Sequence, residues 1–209
     1  MKTVILTGGM GSGKSAVCRY LKTRGVPVYD SDARTKTLYD RVPSLVDRMQ
    51  EMLGISLRDA RGAFDRKALA SVIFSDPGKK SQVESLVYPA VLDDFKRWKR
   101  WHRPKGWSYG PVPFVVLESA VILSHPLFDG IGDRVVLVDA DESIRVARSV
   151  ARDGSDPDAA LRRIRAQSFD RDRVDAILRN DGPLEALPVE TDRVFLDLFL
   201  SLHNKYKQY

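Results

Sequence analysis

Gly8-Gly9-Met10-Gly11-Ser12-Gly13-Lys14-Ser15 decides the fold, because it satisfies G-x-x-x-x-G-K-[ST] between a strand-like run and a helix-like run. Upstream, residues 3–7 are short, apolar and β-branched, the pattern of a strand buried on both faces. Downstream, Val17, Tyr20 and Leu21 recur at i, i+3 and i+4, and Gly25 is placed to end that helix in a left-handed conformation. Val26 to Tyr29 then reads as a second strand, which closes one βαβ unit and makes the opening sheet parallel. Glycines let the loop wrap so that successive N–H groups face phosphate oxygens, and the following helix N-terminus adds its partial positive charge. Lys14 reaches the β and γ phosphates as a point charge, and Ser15 offers a hydroxyl to Mg²⁺. The stretch predicts nucleotide-phosphate binding and leaves the acceptor open.

Past Ala33 strand signals vanish until about Arg103, and helical patterns replace them. Pro43 to Leu53, with a first-turn proline and Gly54 just beyond, is the clearest. Strand-like runs return at Phe114 to Leu117, at Val135 to Val138 and more weakly at Ala176 to Leu178. Between the last two, Asp156 is a natural N-cap for a helix with Pro157 at its first position. Phe195, Leu198, Phe199 and Leu202 at i, i+3, i+4 and i+7 mark a final helix that covers the sheet. The expected organisation is α/β: a five-stranded parallel sheet with a helical insert and a helical lid. Core segments are expected at residues 1–33, 110–140 and 172–209, with the insert at 34–109 and the lid at 141–171.

Asp30 and Asp32 flank Ser31 where the second strand ends, and residues two apart on a strand share a face. Both carboxylates are thus offered to the carboxyl edge of the sheet, where open α/β sheets bind ligands. One of them, with Asp32 preferred, is expected to orient a substrate hydroxyl and accept its proton as it attacks a γ-phosphoryl. The competing use of such an aspartate is to cap the next helix. A carboxylate is a weak base for a sugar hydroxyl, so alignment is its main expected contribution.

Arg145, Arg148 and Arg152 lie at i, i+3 and i+7. A planar guanidinium fork suits phosphate, and closing arginines neutralise a phosphoryl in transit, so Arg148 and Arg152 are read as lid residues. Arg162, Arg163 and Arg165 read as mostly surface. Lys96 to Arg103 mixes cations with Trp98 and Trp101; the two tryptophans are i, i+3 neighbours expected to bury one face while the cations stay in water.

Composition narrows the classes further. With 43% hydrophobic and 30% charged residues among 209, the chain is a globular one, and 34 Lys+Arg against 28 Asp+Glu gives +6, which favours an anionic partner. One cysteine, Cys18, and three scattered histidines supply neither an internal disulfide nor metal-ligand spacing. No apolar run approaches a bilayer span or a signal peptide, so a cytoplasmic location is expected.

Taken together, the motifs resemble the dephospho-coenzyme A kinase family over nearly the whole chain. Thr7 to Ser15, Val28-Tyr29-Asp30-Ser31-Asp32, Phe64-Asp65-Arg66-Lys67-Ala68-Leu69, Arg148 with Arg152-Asp153, Arg163-Ile164-Arg165-Ala166-Gln167 and Ile177 to Gly182 carry the resemblance. It implies ATP-dependent phosphorylation of the ribose 3′-hydroxyl of dephospho-CoA, with ATP and Mg²⁺, by a nucleotide-binding core, a helical substrate domain and a lid. Lys14, Asp32 and Arg148 are then the catalytic residues. Gly9, Gly11, Ser12, Gly13, Lys14, Ser15, Ala16, Arg148, Arg152 and Asn180 hold the nucleotide, and Ser15 the metal. Asp32, Arg34, Lys36 and Tyr88 contact the substrate, whose pyrophosphate gives a reason for the cations Arg34 and Lys36. The family usually has His-Pro where this chain has Tyr88-Pro89, and an acid near Ser124 for which Glu118 is the available substitute.

Two alternatives remain at this point. Another small P-loop kinase, shikimate-type or acting on nucleotides, shares the loop and the Asp-x-Asp, although the later glycine-rich substrate loop is missing. A nucleotide-dependent switch draws on Asp59 to Gly62 and Asp129 to Gly132, which spell D-x-x-G without a preceding strand; Asn204-Lys205-Tyr206-Lys207 lacks the aspartate of N-K-x-D. Neither nucleic acid nor membrane is expected as a partner. The expected assembly is a monomer or a weak homo-oligomer.

Overall fold

The computed structural model describes residues 1–102, 113–167 and 169–206. Five strands, β1 (Lys2–Thr7), β2 (Val28–Asp30), β3 (Phe114–Glu118), β4 (Arg134–Asp139) and β5 (Ala176–Arg179), form one sheet in the order β2-β3-β1-β4-β5. The β1/β3, β1/β4 and β4/β5 pairs are parallel, in a register that sets Leu6 beside Glu118 on one side and beside Val136 on the other. β1 is therefore the central strand. Its neighbours come from later in the chain on opposite sides, so the loop after it lies at a switch point, where a parallel sheet opens a crevice at its carboxyl edge.

The chain forms two compact units, Met1–Tyr29 with Trp101–Tyr209, and Asp30–Arg100. In the first unit α1 (Lys14–Thr23) follows the loop, α6 (Glu142–Asp153) and α7 (Pro157–Arg165) follow β4, and α8 (Leu187–Tyr206) follows β5. Continuous apolar runs make β1, β3 and β4 buried on both faces, as expected of strands covered by helices. The core joins these strands to α1 and α8, with Phe114 stacked between Phe195 and Phe199 at centroid distances of 5.7 and 4.2 Å. Gly25 takes φ +77° just past α1, the conformation its position demanded. Asp156 accepts from the Ala159 N–H at 2.8 Å, with Pro157 opening α7.

The second unit is built on the helices α2 (Ser31–Arg41), α3 (Pro43–Leu53), α4 (Arg66–Ser75) and α5 (Pro77–Trp101), with one isolated antiparallel bridge between Arg58 and Phe64. Gly54 ends α3 at φ +66°, and Asp65 caps α4 by accepting from the Lys67 and Ala68 N–H groups. Leu38, Met49, Leu53, Leu69, Val87 and Phe95 are buried there. The unit begins at Asp30, where the sequence suggested residue 34, and so takes in Asp32; the expected end at 109 lies outside the described residues.

Two expectations change. Asp30 and Asp32 do not share a strand face, because β2 stops at Asp30 and Ser31 already belongs to α2. The backbone turns from extended to helical between them, and the period of 2 no longer applies. Trp98 packs on Phe95 at 6.1 Å, whereas Trp101 is 84% exposed, so the two tryptophans do not bury a common face. Arg103, the last residue of the basic aromatic stretch, lies outside the described residues.

Candidate active site

Short β-branched β1 delivers the chain into the Gly8–Ser15 loop, whose local shape is set by positive φ at Gly11 (+77°) and Gly13 (+94°), values that side chains rarely tolerate. Space is equally decisive. A Cβ on Gly13 would run into the Asn180 side-chain amide, and one on Gly11 into the Arg145 backbone carbonyl. The loop lines a cavity of about 460 Å³ together with Lys14, Ser15, Ala16, Arg19, Arg148, Arg152 and Gln167.

Supports for the loop come from far along the chain. The Asn180 amide donates to the Ser12 carbonyl at 2.8 Å from a buried position, and its own backbone N–H donates to Asp139 C=O at 2.8 Å. Arg148 donates to the Asn180 and Gly182 carbonyls at 2.8 and 3.1 Å. The expected pair of Arg148 and Arg152 thus divides. Arg148 braces the turn after β5, while Arg152 makes a two-point ion pair with Asp153 at 2.7 Å that holds its guanidinium above the usual range. Arg145, on the same face, bonds the loop directly: its Nε donates to the Met10 carbonyl at 3.0 Å. Burial is the main force lowering its pKa, opposed by Asp139 and Glu142. Arg165 pairs with Glu142 on the exposed surface, as its reading foresaw.

Lys14 pairs with Glu118 at the end of β3, with side chains only 13% and 7% exposed. The largely buried ammonium is here neutralised by an acid, which keeps the charge paired. The observations fit a nucleotide and its metal. The buried hydroxyls of Thr7 and Ser12 have no hydrogen-bond partner among the described residues, and the glycines leave room for backbone approach. Ser15 is exposed on the cavity, and Glu118 adds an oxygen donor. No cluster of three His, Cys, Asp or Glu side chains forms a metal cage among the described residues.

Within the helical unit, Asp30 accepts from Ala33 N–H at 2.9 Å and is the N-cap of α2. Asp32, in the first turn, is exposed and lines a separate cavity of about 390 Å³. Lys36 and Tyr88 line it too, with an apolar floor of Leu69, Ile73, Val83 and Val87 and a rim cation from Arg66. Tyr39 and Phe64 pack at 4.5 Å on its wall. Burial pushes the Tyr39 phenol up to about 12, with Arg66 opposing. Tyr88 donates to Glu84 at 2.9 Å, and burial, then that bond and the negative charges of Glu84 and Asp32, hold its phenol protonated far above the usual range. Arg34 does not join this lining. It forms a two-point pair with half-buried-to-buried Asp94 at 2.7 and 2.8 Å.

Sequence reasoning missed Arg19, Arg145 and Gln167 at the loop and Tyr39, Phe64 and Arg66 in the helical unit. Arg145 stood on the arginine face and Gln167 ended a quoted motif, so a signal existed without an assigned role. Nothing in periodicity marks Tyr39 or Phe64, whose meeting is a tertiary event.

A parallel sheet with a phosphate loop at its switch point, lysine and serine at the following helix, and arginines arriving after β4 defines a P-loop phosphotransferase. Residues 2–186 match the family described as Dephospho-CoA kinase. Curated relatives include the Dephospho-CoA kinase of Porphyromonas gingivalis, 36% identical over 192 residues covering 90% of each chain, and that of Thiobacillus denitrificans, 31% identical over 209 residues covering 99% of this chain and 96% of the relative. Among solved structures, TT1252 from Thermus thermophilus superposes with a TM-score of 0.74 at 28% identity over 96% of both chains. The dephospho-CoA kinase from Campylobacter jejuni, at 18% identity and a TM-score of 0.55 over 92% of this chain and 94% of its own, shares the fold. The chain belongs to the dephospho-CoA kinase family.

Proposed function

We propose that this chain transfers the γ-phosphoryl group of ATP to the ribose 3′-hydroxyl of dephospho-CoA, yielding CoA and ADP. The carrying observation is the family match across residues 2–186 in a chain whose phosphate loop keeps both its spelling and its shape. The shikimate kinase from Acinetobacter baumannii shares the fold at 16% identity, and a shared fold at that identity does not carry its acceptor over to this chain.

The acceptor oxygen attacks the γ-phosphorus in line. A new oxygen–phosphorus bond forms as the bond to the β–γ bridging oxygen breaks, the electrons leave on ADP, and the hydroxyl proton passes to the Asp32 carboxylate. The loop residues Gly9, Gly11, Ser12, Gly13, Lys14, Ser15 and Ala16 hold the phosphates. Lys14 exchanges its Glu118 carboxylate for β and γ oxygens, so its charge trades one anionic partner for another. Ser15 and Glu118 would hold Mg²⁺, which would supply charge neutralisation during phosphoryl transfer. Arg148 and Arg152 supply cations on the α6 side, and Asn180 keeps the loop in shape.

In the helical unit, Asp32, Lys36 and Tyr88 contact the acceptor. The apolar floor with its cationic rim suits an adenosine-bearing pyrophosphate joined to a pantetheine arm. Arg34 acts there through its pairing with Asp94. The protein works in the cytoplasm as a monomer or weak homo-oligomer, without nucleic acid or membrane as partner; no described helix is long and apolar enough to cross a membrane.

ATP turnover measured with dephospho-CoA, shikimate, nucleoside monophosphates and no acceptor tests the proposal. Turnover that depends on dephospho-CoA is expected. Dependence on another acceptor, or on none, overturns it.

A further inference from the structure

Met10 stands between Gly9 and Gly11, at the crest of the phosphate loop, where the chain has the greatest conformational freedom to lose. Its N–H donates to the Gln167 side-chain carbonyl at 2.7 Å, and its C=O accepts from Arg145 Nε at 3.0 Å. The same arginine reaches the Gln167 carbonyl through Nη2 at 3.4 Å, which closes a three-residue ring around a single loop residue. Both peptide groups that flank the Met10 Cα are thereby fixed by side chains from α6 and from the segment after α7.

The surroundings are shaped for this ring. A Cβ on Gly9 would collide with the Arg145 guanidinium and would lie 2.8 Å from Gln167 Oε1. Ser149, almost fully buried, donates to the Arg145 carbonyl at 2.7 Å, and that carbonyl is the atom a side chain on Gly11 would strike. Gly9 and Gly11 thus leave the room that Arg145 and Gln167 need beside the loop. Gln167 also lines the phosphate-loop cavity.

We propose that Gln167 and Arg145 are positioning residues for phosphoryl transfer, which hold Met10 by its N–H and its C=O so that the amides from Gly11 onward stay aimed at the phosphates. In this role Gln167 needs only an acceptor oxygen. A carboxylate in the same place accepts from Met10 and pairs with Arg145 equally well, while alanine does neither. The inference rests on the kinase reading for its turnover readout alone, since the order of the loop is observable without acceptor.

Gln167 is exposed, so its variants fold. In nucleotide-free protein, amide hydrogen exchange of residues 8–13 is expected to accelerate roughly tenfold in Gln167→Ala, the worth of one hydrogen bond. Turnover is expected to fall about fivefold or more, with KM for the acceptor within about twofold of the parent, and Gln167→Glu to restore both slow exchange and turnover. Arg145→Lys, which loses the planar fork, is expected to behave like Gln167→Ala. Unchanged loop exchange in Gln167→Ala, or a Gln167→Glu protein that behaves like it, overturns the inference. If the acceptor proves to be a different molecule, the exchange result stands unaffected and only the kinase reading fails.

Discussion

The phosphate loop and the Asp32 cavity are built by opposite means. The loop is a backbone structure: its shape is set by glycines at positive φ and by neighbouring groups that leave no room for a Cβ. The cavity in the helical unit is lined instead by side chains gathered from α2, α4, α5 and the segment before α4. Any of several apolar residues fills its floor equally well. Backbone sites announce themselves in a contiguous motif, and side-chain sites do not.

Substitutions at the two places should differ accordingly, and the largest effect belongs to the loop. Lys14→Ala removes the cation from the β and γ oxygens, and turnover should fall roughly 10²- to 10³-fold. It also leaves Glu118 buried without Lys14, so denaturant unfolding should report a loss of about 3–5 kcal/mol. Adding Glu118→Gln should return much of that stability and none of the turnover; recovered turnover would break the contrast.

Next comes Asp32→Asn, exposed on the cavity. Turnover is expected to drop at least about tenfold with ATP binding unchanged by titration calorimetry. Unaltered turnover removes Asp32 from the mechanism. Smaller again is Tyr88→Phe, which deletes one hydrogen bond to Glu84, worth about 1 kcal/mol; a few-fold rise in KM for dephospho-CoA is expected, with KM for ATP unmoved. An equal rise in both would blur the division between the two cavities.

The smallest effect is a pH dependence. Burial raises the Tyr39 phenol from 10.0 to about 12 in the folded chain. Its contribution to stability is complete below about pH 10, where folded and unfolded chains both keep the proton. Above that the unfolded chain releases it first, and the contribution is lost as pH rises through about 12. Unfolding midpoints between pH 9 and 12 should fall less steeply, by about this one group's share, in Tyr39→Phe.

How much was legible follows from the same contrast. The strand, loop and helix around residues 2–23 and α3 with Gly54 were readable because period, turn chemistry and caps agree locally. Asp30 and Asp32 were seen as a pair, but their division of labour depended on where extended backbone gives way to helix, a boundary that patterns place poorly. Arg34 reads as a cation for the acceptor's pyrophosphate, and the pairing of its fork with Asp94, sixty residues on, has no local signal. Gln167 carried no periodic signal at all; its partner Met10 lies 157 positions earlier.

Asn180 grips the Ser12 carbonyl across 168 positions of chain. A growing polypeptide therefore displays its nucleotide motif at the ribosome long before it possesses the clamp that gives the motif form. Amino-terminal fragments that stop short of this asparagine would carry the signature by which such enzymes are found and lack the grip by which they work.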